Sequence, residues 1–289
     1  MGQYVKGKTV SRCETSKIWT IIGWSTLFGK GICDMIGIHS EKIQDIPLLI
    51  VVDDKKNNKP LPMLTYFHGF TSAKEHNLPL AYLLAEKGFR VILPDSAHHG
   101  ERAEGKTPAD MQLLFWDIVK QNIADLKEIY NKYHAESLLL DDQFGVAGTS
   151  MGGITTAAVL TQYTWIKAAA ILMGSPKLVP YAKELVEEVS KYRDLPFTKE
   201  ELHHVFAQLE TVDLSAHIDK INERPLLFWH GKKDDVVPYE HSFDFYQKAW
   251  ELYENKENIH FISEENQSHK VSRNAILHTV DWFSKHLQN

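Results

Sequence analysis

Ser150 stands between two glycines in the run Gly148, Thr149, Ser150, Met151, Gly152, Gly153. A short apolar run, residues 144–147, precedes it, and a helix-like run, residues 154–162, follows. That setting describes a strand, a very sharp turn and a helix, with the serine at the apex. A strained turn lifts the side chain clear of its neighbours, and a Cβ at Gly148 or Gly152 would collide with the adjoining strand or helix. The hydroxyl is then presented as a nucleophile. The Met151 N–H falls at the helix N-terminus, where it can bond an oxygen that gains negative charge.

A serine needs a base to take its proton and an acid to orient that base. Two carboxylates compete for the acid's role in the stretch His230, Gly231, Lys232, Lys233, Asp234, Asp235, Val236, Val237, Pro238. Asp234 stands where the pattern His-Gly-x-x-Asp-x-x-Val-Pro has its acid, and Asp235 is left to cap the turn or face solvent. The base is expected after the last strand, where His269 precedes the final helix. His260 alternates within that strand, and His278 and His286 fall on the helix, so these three read as structural or surface residues. A second oxyanion donor is expected from His68, Gly69, Phe70 and Thr71, after an early strand. Gly69 permits close backbone approach there, and the Phe70 N–H would pair with that of Met151. Loss of one such donor costs about 10²–10³ in rate. His68 reads as a brace for this loop, and Thr71 and Ser72 as caps of the following helix. In residues 95–100, His98 or His99 could reach the pocket rim, but a loop held by Asp95 and His99 hydrogen bonds is the preferred reading. Phe70, Met151, Trp116 and Tyr181 are candidates for an apolar acyl pocket, or equally for core.

The elements that must hold these residues alternate between strand and helix from residue 36 onward. Residues 43–52 are apolar and β-branched and end at turn-forming residues 53–60, which predicts a strand, a hairpin loop and a strand at 63–67. A helix over 75–87 stops at Gly88. Strands follow at 89–93, 144–148, 168–173, 226–229 and 259–262. One long amphipathic helix is expected over 108–133, where Met111, Leu114, Ile118, Ile123, Leu126 and Ile129 recur at helical spacing. Further helices are expected at 242–253 and 271–287. Repeated β-α-β units with short apolar strands imply a mostly parallel sheet covered on both faces, with ligands at the carboxyl ends of the strands. Residues 177–222 break the alternation with charged helical patterns at 181–192 and 198–209, a small helical lid inserted over the site's edge.

The composition is that of an ordinary globular protein, 43% hydrophobic and 24% charged over 289 residues, enough for one α/β domain with a large core. A net charge of -6 argues against nucleic acid or an anionic membrane as partner. No apolar run reaches the roughly 18 residues of a membrane span. The two cysteines, Cys13 and Cys33, both lie near the N-terminus, so the rest of the chain has neither a disulfide framework nor a thiolate metal site. The cytoplasm is the expected compartment.

Residues 68–71, 95–100, 148–153 and 230–238 together resemble the α/β-hydrolase superfamily. The likeness is closest to its bacterial dienelactone-hydrolase-like and prolyl-oligopeptidase-like small esterases, and residues 67–77 and 148–155 are similar to the YitV/YjfP type. It runs from about Met35 to the C-terminus. It implies an α/β-hydrolase fold with a triad in the chain order Ser, Asp, His. On that basis Ser150, Asp234 and His269 would be the triad and Phe70 and Met151 the oxyanion donors. The implied activity is hydrolysis of short-chain carboxylic esters without cofactor or metal. Two departures stand out. Dienelactone hydrolases proper use cysteine where this chain has Ser150, and prolyl oligopeptidases carry a propeller domain for which there is no room here. The rivals are a thioesterase or small peptidase with the same triad, and a catalytically silent binding protein on the same fold.

Residues 1–34 fall outside the likeness. Lys6, Lys8, Arg12 and Lys17 precede a diluted apolar stretch, residues 18–28, which allows a weak signal or a peripheral amphipathic segment. The preferred reading makes Met35 the natural start. Mass spectrometry of the natural protein should then find an N-terminus at Met35, and an intact 1–34 segment would contradict it.

Overall fold

The computed structural model describes residues 35–192 and 194–288, so the expectations for residues 1–34 lie outside the described residues. Eight strands form one sheet: β1 (Ile36–Ile43), β2 (Ile46–Asp53), β3 (Leu61–Phe67), β4 (Arg90–Pro94), β5 (Leu139–Thr149), β6 (Ala168–Leu172), β7 (Leu226–Gly231) and β8 (Ile259–Glu264). Their spatial order is β1-β2-β4-β3-β5-β6-β7-β8. The β1–β2 and β2–β4 pairs are antiparallel, and every pair from β4–β3 to β7–β8 is parallel.

The helices are α1 (Leu78–Glu86), α2 (Pro108–Leu113), α3 (Phe115–Ala135), α4 (Met151–Gln162), α5 (Leu178–Ser190), α6 (Lys199–Glu210), α7 (Tyr239–Leu252) and α8 (Arg273–His286). They lie on both faces because the central strands are apolar on both sides. In β7, Leu226 and Phe228 join the core made with α3, α4 and α7, while Leu227 and Trp229 join the core made with α1 and α8. A strand that alternates between two buried layers must be apolar throughout.

Two sequence expectations are corrected. The hairpin over residues 43–67 does not form. The tight turn instead lies at Gln44, with φ 53°, and joins β1 to β2, while β3 pairs with β4 and β5. β1 is an edge strand with several exposed positions, so it carries no continuous apolar signal. The long helix over 108–133 is two helices, broken at Leu114, whose φ of -92° and ψ of 0° leave the helical region. Between β6 and β7 the chain is helical, as expected, with α5 and α6 and no strand among the described residues.

Arg90 is 1% exposed at the start of β4 and joins the loops that lead into β3 and β5. Its guanidinium donates to Leu138 O at 2.8 Å, Asn57 O at 2.5 Å and Lys59 O at 3.2 Å. Arg90→Met fills part of the space but removes a donor from three carbonyls, of which Leu138 O keeps a bond from the Leu61 N–H, and it should destabilise the fold by about 2–3 kcal/mol. The urea midpoint should fall by about 1 M, and an unchanged midpoint would show that these bonds hold nothing.

Candidate active site

Ser150 sits between β5 and α4 with φ 55° and ψ -115°. For a residue with a Cβ this is a strained backbone, costing about 1–3 kcal/mol, so its neighbours must hold it. The Ser150 N–H donates to Leu172 O on β6 at 2.9 Å, and Ser150 O accepts from Ile154 N at 2.9 Å. The glycines permit the turn. A Cβ on Gly148 would lie 2.3 Å from Gly152 O, and one on Gly152 would lie 2.1 Å from Phe67 O. Gly153 and Gly174 pack backbone to backbone as well, with a Gly174 Cβ only 2.6 Å from Gly153 C.

His269 Nε2 lies 2.8 Å from Ser150 Oγ. Its Nδ1 faces Asp234, 2.9 Å from Oδ1 and 2.8 Å from Oδ2. The carboxylate can only accept, so Nδ1 carries the proton and Nε2 offers its lone pair to the serine hydroxyl. Asp234 Oδ1 also accepts from the N–H groups of Val236 and Val237, each at 2.9 Å. His230 Nε2 lies 3.1 Å from Oδ2. Burial alone would raise the Asp234 pKa, but the bonds from His230, His269, Val237 and Val236 outweigh it and hold the carboxyl well below the usual range. Asp235 is exposed and His260 and His278 face outward, so the structure separates them from this line of groups.

The loop carrying Phe70 lies beside the serine. A Cβ on Gly69 would meet Thr149 O at 3.5 Å and Ser150 Cβ at 3.6 Å, which is ordinary contact, so crowding does not dictate glycine there as expected. Two histidines brace this loop from below. His68 Nδ1–H donates to Gly69 O at 2.8 Å and its Nε2 accepts from Ser96 N at 3.0 Å. His99 Nδ1–H donates to Ala97 O at 2.8 Å and its Nε2 accepts from Thr71 N at 3.0 Å. Thr71 and Ser72 are not helix caps. Asp95 takes that place, accepting from Lys74 N at 3.0 Å and from the buried Lys74 ammonium at 2.6 Å, while Ser72 bonds His76. A buried carboxylate paired with a lysine is a stronger acceptor than a hydroxyl. His98 sits beside Glu104 at 3.1 Å, not among the residues lining the Ser150 cleft.

The cleft at Ser150 has a volume of about 400 Å³ and includes Gly69, Phe70, Tyr66, Met173 and His269 in its walls. Of the four candidates for an apolar lining, Phe70 reaches it. The Met151 side chain is 0% exposed and belongs to the core, as does Tyr181, whose hydroxyl donates to Val236 O at 3.1 Å. Trp116 packs edge-on against Tyr181 and against Phe115, which touches Phe70. Phe115, which the sequence reading did not single out, supports Phe70 from behind without lining the cleft.

The strand order, the turn at Ser150 and the hydrogen-bonded line from serine to histidine to aspartate define an α/β-hydrolase. TT1662 from Thermus thermophilus shares the fold, with a TM-score of 0.66 at 18% identity over 88% of this chain and 99% of that one. The model of the prolyl oligopeptidase family matches residues 79–289, and the chain belongs to that family. YitV of Bacillus subtilis (strain 168) is 44% identical over 88% of this chain and 100% of its own length. Esterase YjfP of Escherichia coli (strain K12) is 30% identical over the same two shares, 88% and 100%.

Burial lowers the His68 pKa from 6.5 to about 4, with the nearby His99 acting in the same direction against the Gly69 bond and Asp95. Folding therefore gains from His68 fully above pH 6.5, and the gain is lost as the pH falls toward 4, about 3 kcal/mol in all. Urea unfolding at pH 7 and 4.5 should show wild type losing about 2–3 kcal/mol more than His68→Gln. Equal losses would show that His68 is not held neutral.

Proposed function

We propose that this chain is a serine esterase in which Ser150, His269 and Asp234 act as a triad, with Phe70 and Met151 donating to the oxyanion. The observation that carries the reading is the 2.8 Å approach of His269 Nε2 to Ser150 Oγ, with the far side of the ring fixed on a buried carboxylate. His269 removes the serine proton as Ser150 attacks the ester carbonyl, then returns it to the departing alcohol. Water enters, His269 takes its proton, and the acyl-enzyme is hydrolysed. Asp234 holds the tautomer and stabilises the charged ring. Met151 opens α4, so its N–H is among the unpaired amides at a helix N-terminus. The neighbouring Phe70 N–H would supply the second donor.

The relative YjfP is an esterase, which supports an ester as substrate. A cleft of about 400 Å³ suits a short acyl group, so short-chain acyl esters are the proposed substrates. The proposed lid is α5 with α6, and its support is that Tyr181 of α5 is tied to the loop that carries Asp234. The proposed compartment is the cytoplasm. The description of the family favours a second reading, a small peptidase with the same triad.

Short-chain nitrophenyl esters should turn over at rates far above those of peptide amides. Ser150→Ala should abolish turnover with the fold intact, and Asp234→Asn should lower kcat by about 10⁴ while Asp235→Asn stays near wild type. Near-wild-type activity in Ser150→Ala would overturn the nucleophile, and faster cleavage of amides would favour the peptidase.

A further inference from the structure

Asp234 is bonded by two histidines, and the reaction as proposed uses one of them. His230, the last residue but one of β7, is 0% exposed in its side chain, as is Asp234. Its Nε2 lies 3.1 Å from Asp234 Oδ2 and 3.0 Å from Val237 O. A carbonyl can only accept, so the Nε2 proton is shared in a fork between that carbonyl and the carboxylate. Nδ1 of His230 is buried and has no hydrogen-bond partner among the described residues. A buried polar atom left unbonded carries a cost. The ring is therefore placed for what its other nitrogen does.

The fork joins the two parts of the acid loop that matter. Val237 N–H donates to Asp234 Oδ1, and Val237 O accepts from the same ring that bonds Oδ2. Ring, carboxylate and turn form a closed circuit that leaves Asp234 little freedom to rotate about its side-chain bonds. Besides its exposed chain neighbours Lys233 and Asp235, the titratable groups near it include His269 and two tyrosines. Tyr239 packs on the His230 ring at 5.7 Å between centroids, and the Tyr181 hydroxyl donates to Val236 O.

We propose that His230 is a positioning residue: its Nε2–H holds the Asp234 carboxylate and the Val237 carbonyl together, so that the carboxylate faces His269 Nδ1. The proposal rests on the serine-esterase reading and acts through Asp234 without touching substrate. A glutamine amide reaches as far as Nε2, whereas an asparagine amide falls short.

The test compares His230→Gln, His230→Asn and His230→Leu on a short-chain nitrophenyl ester. His230→Gln should keep kcat within about threefold of wild type, while Asn and Leu lower it by about 10- to 100-fold with KM nearly unchanged. With one donor removed, more of the carboxylate's charge faces His269, so the acid limb of the kcat/KM profile should move to higher pH in Asn and Leu and return in Gln. Thermal melting reads folding separately, and if the asparagine variant does not fold, the Leu–Gln comparison decides. Equal kcat in Gln and the donor-free variants, or an unmoved pH profile, overturns the proposal. Absence of Ser150-dependent turnover in wild type would instead overturn the esterase reading on which it rests.

Discussion

The backbone at Ser150, at φ 55° and ψ -115°, has no local reason to stay where it is. It is held from three directions. Leu172 O on β6 takes its N–H, α4 begins at the next residue, and the glycines let β3, β5, β6 and α4 approach more closely than any Cβ would allow. Relaxing the turn would require those backbones to move apart. That would break the parallel pairing of β5 with β3 and β6. The strain is thus tied to the centre of the sheet, and the sheet's apolar layers on both faces keep it there.

The histidines around the serine are held in defined tautomers by what each ring faces. His68 and His99 each donate from Nδ1 to a carbonyl and accept a backbone N–H at Nε2, and burial pushes the pKa of both down. They serve as rigid neutral braces beneath the Phe70 loop. His269 faces a carboxylate on one side and a hydroxyl on the other, an arrangement in which the proton on Nδ1 is fixed and Nε2 is available. Asp234 stays ionised because four donors more than offset the loss of water. The same residue type thus takes different roles from its surroundings alone.

Much of this was legible in the sequence because the chemistry sits where strands end. Short apolar runs mark the central strands, and Ser150, Asp234 and His269 each follow one. What the sequence hid has physical causes. β1 lies at the sheet edge with polar residues facing water, so its pattern carries no apolar run. The break at Leu114 has no glycine or proline and preserves the helical spacing of apolar residues. Asp95 was legible as a residue that holds its loop, but its buried partner Lys74, 21 positions away along the chain, carried no signal. His230 was visible within its motif, but its bond to Asp234 depends on how the turn folds back over β7.

The central claim is that folding activates Ser150 by placing His269 and the oxyanion donors around it. A fluorophosphonate probe followed by peptide mapping tests this most directly, because an ordinary serine hydroxyl does not react with it. The account predicts one adduct, on Ser150, formed by the folded protein and lost both in urea and in His269→Ala. An adduct on another serine, or none on Ser150 in the folded protein, would contradict it.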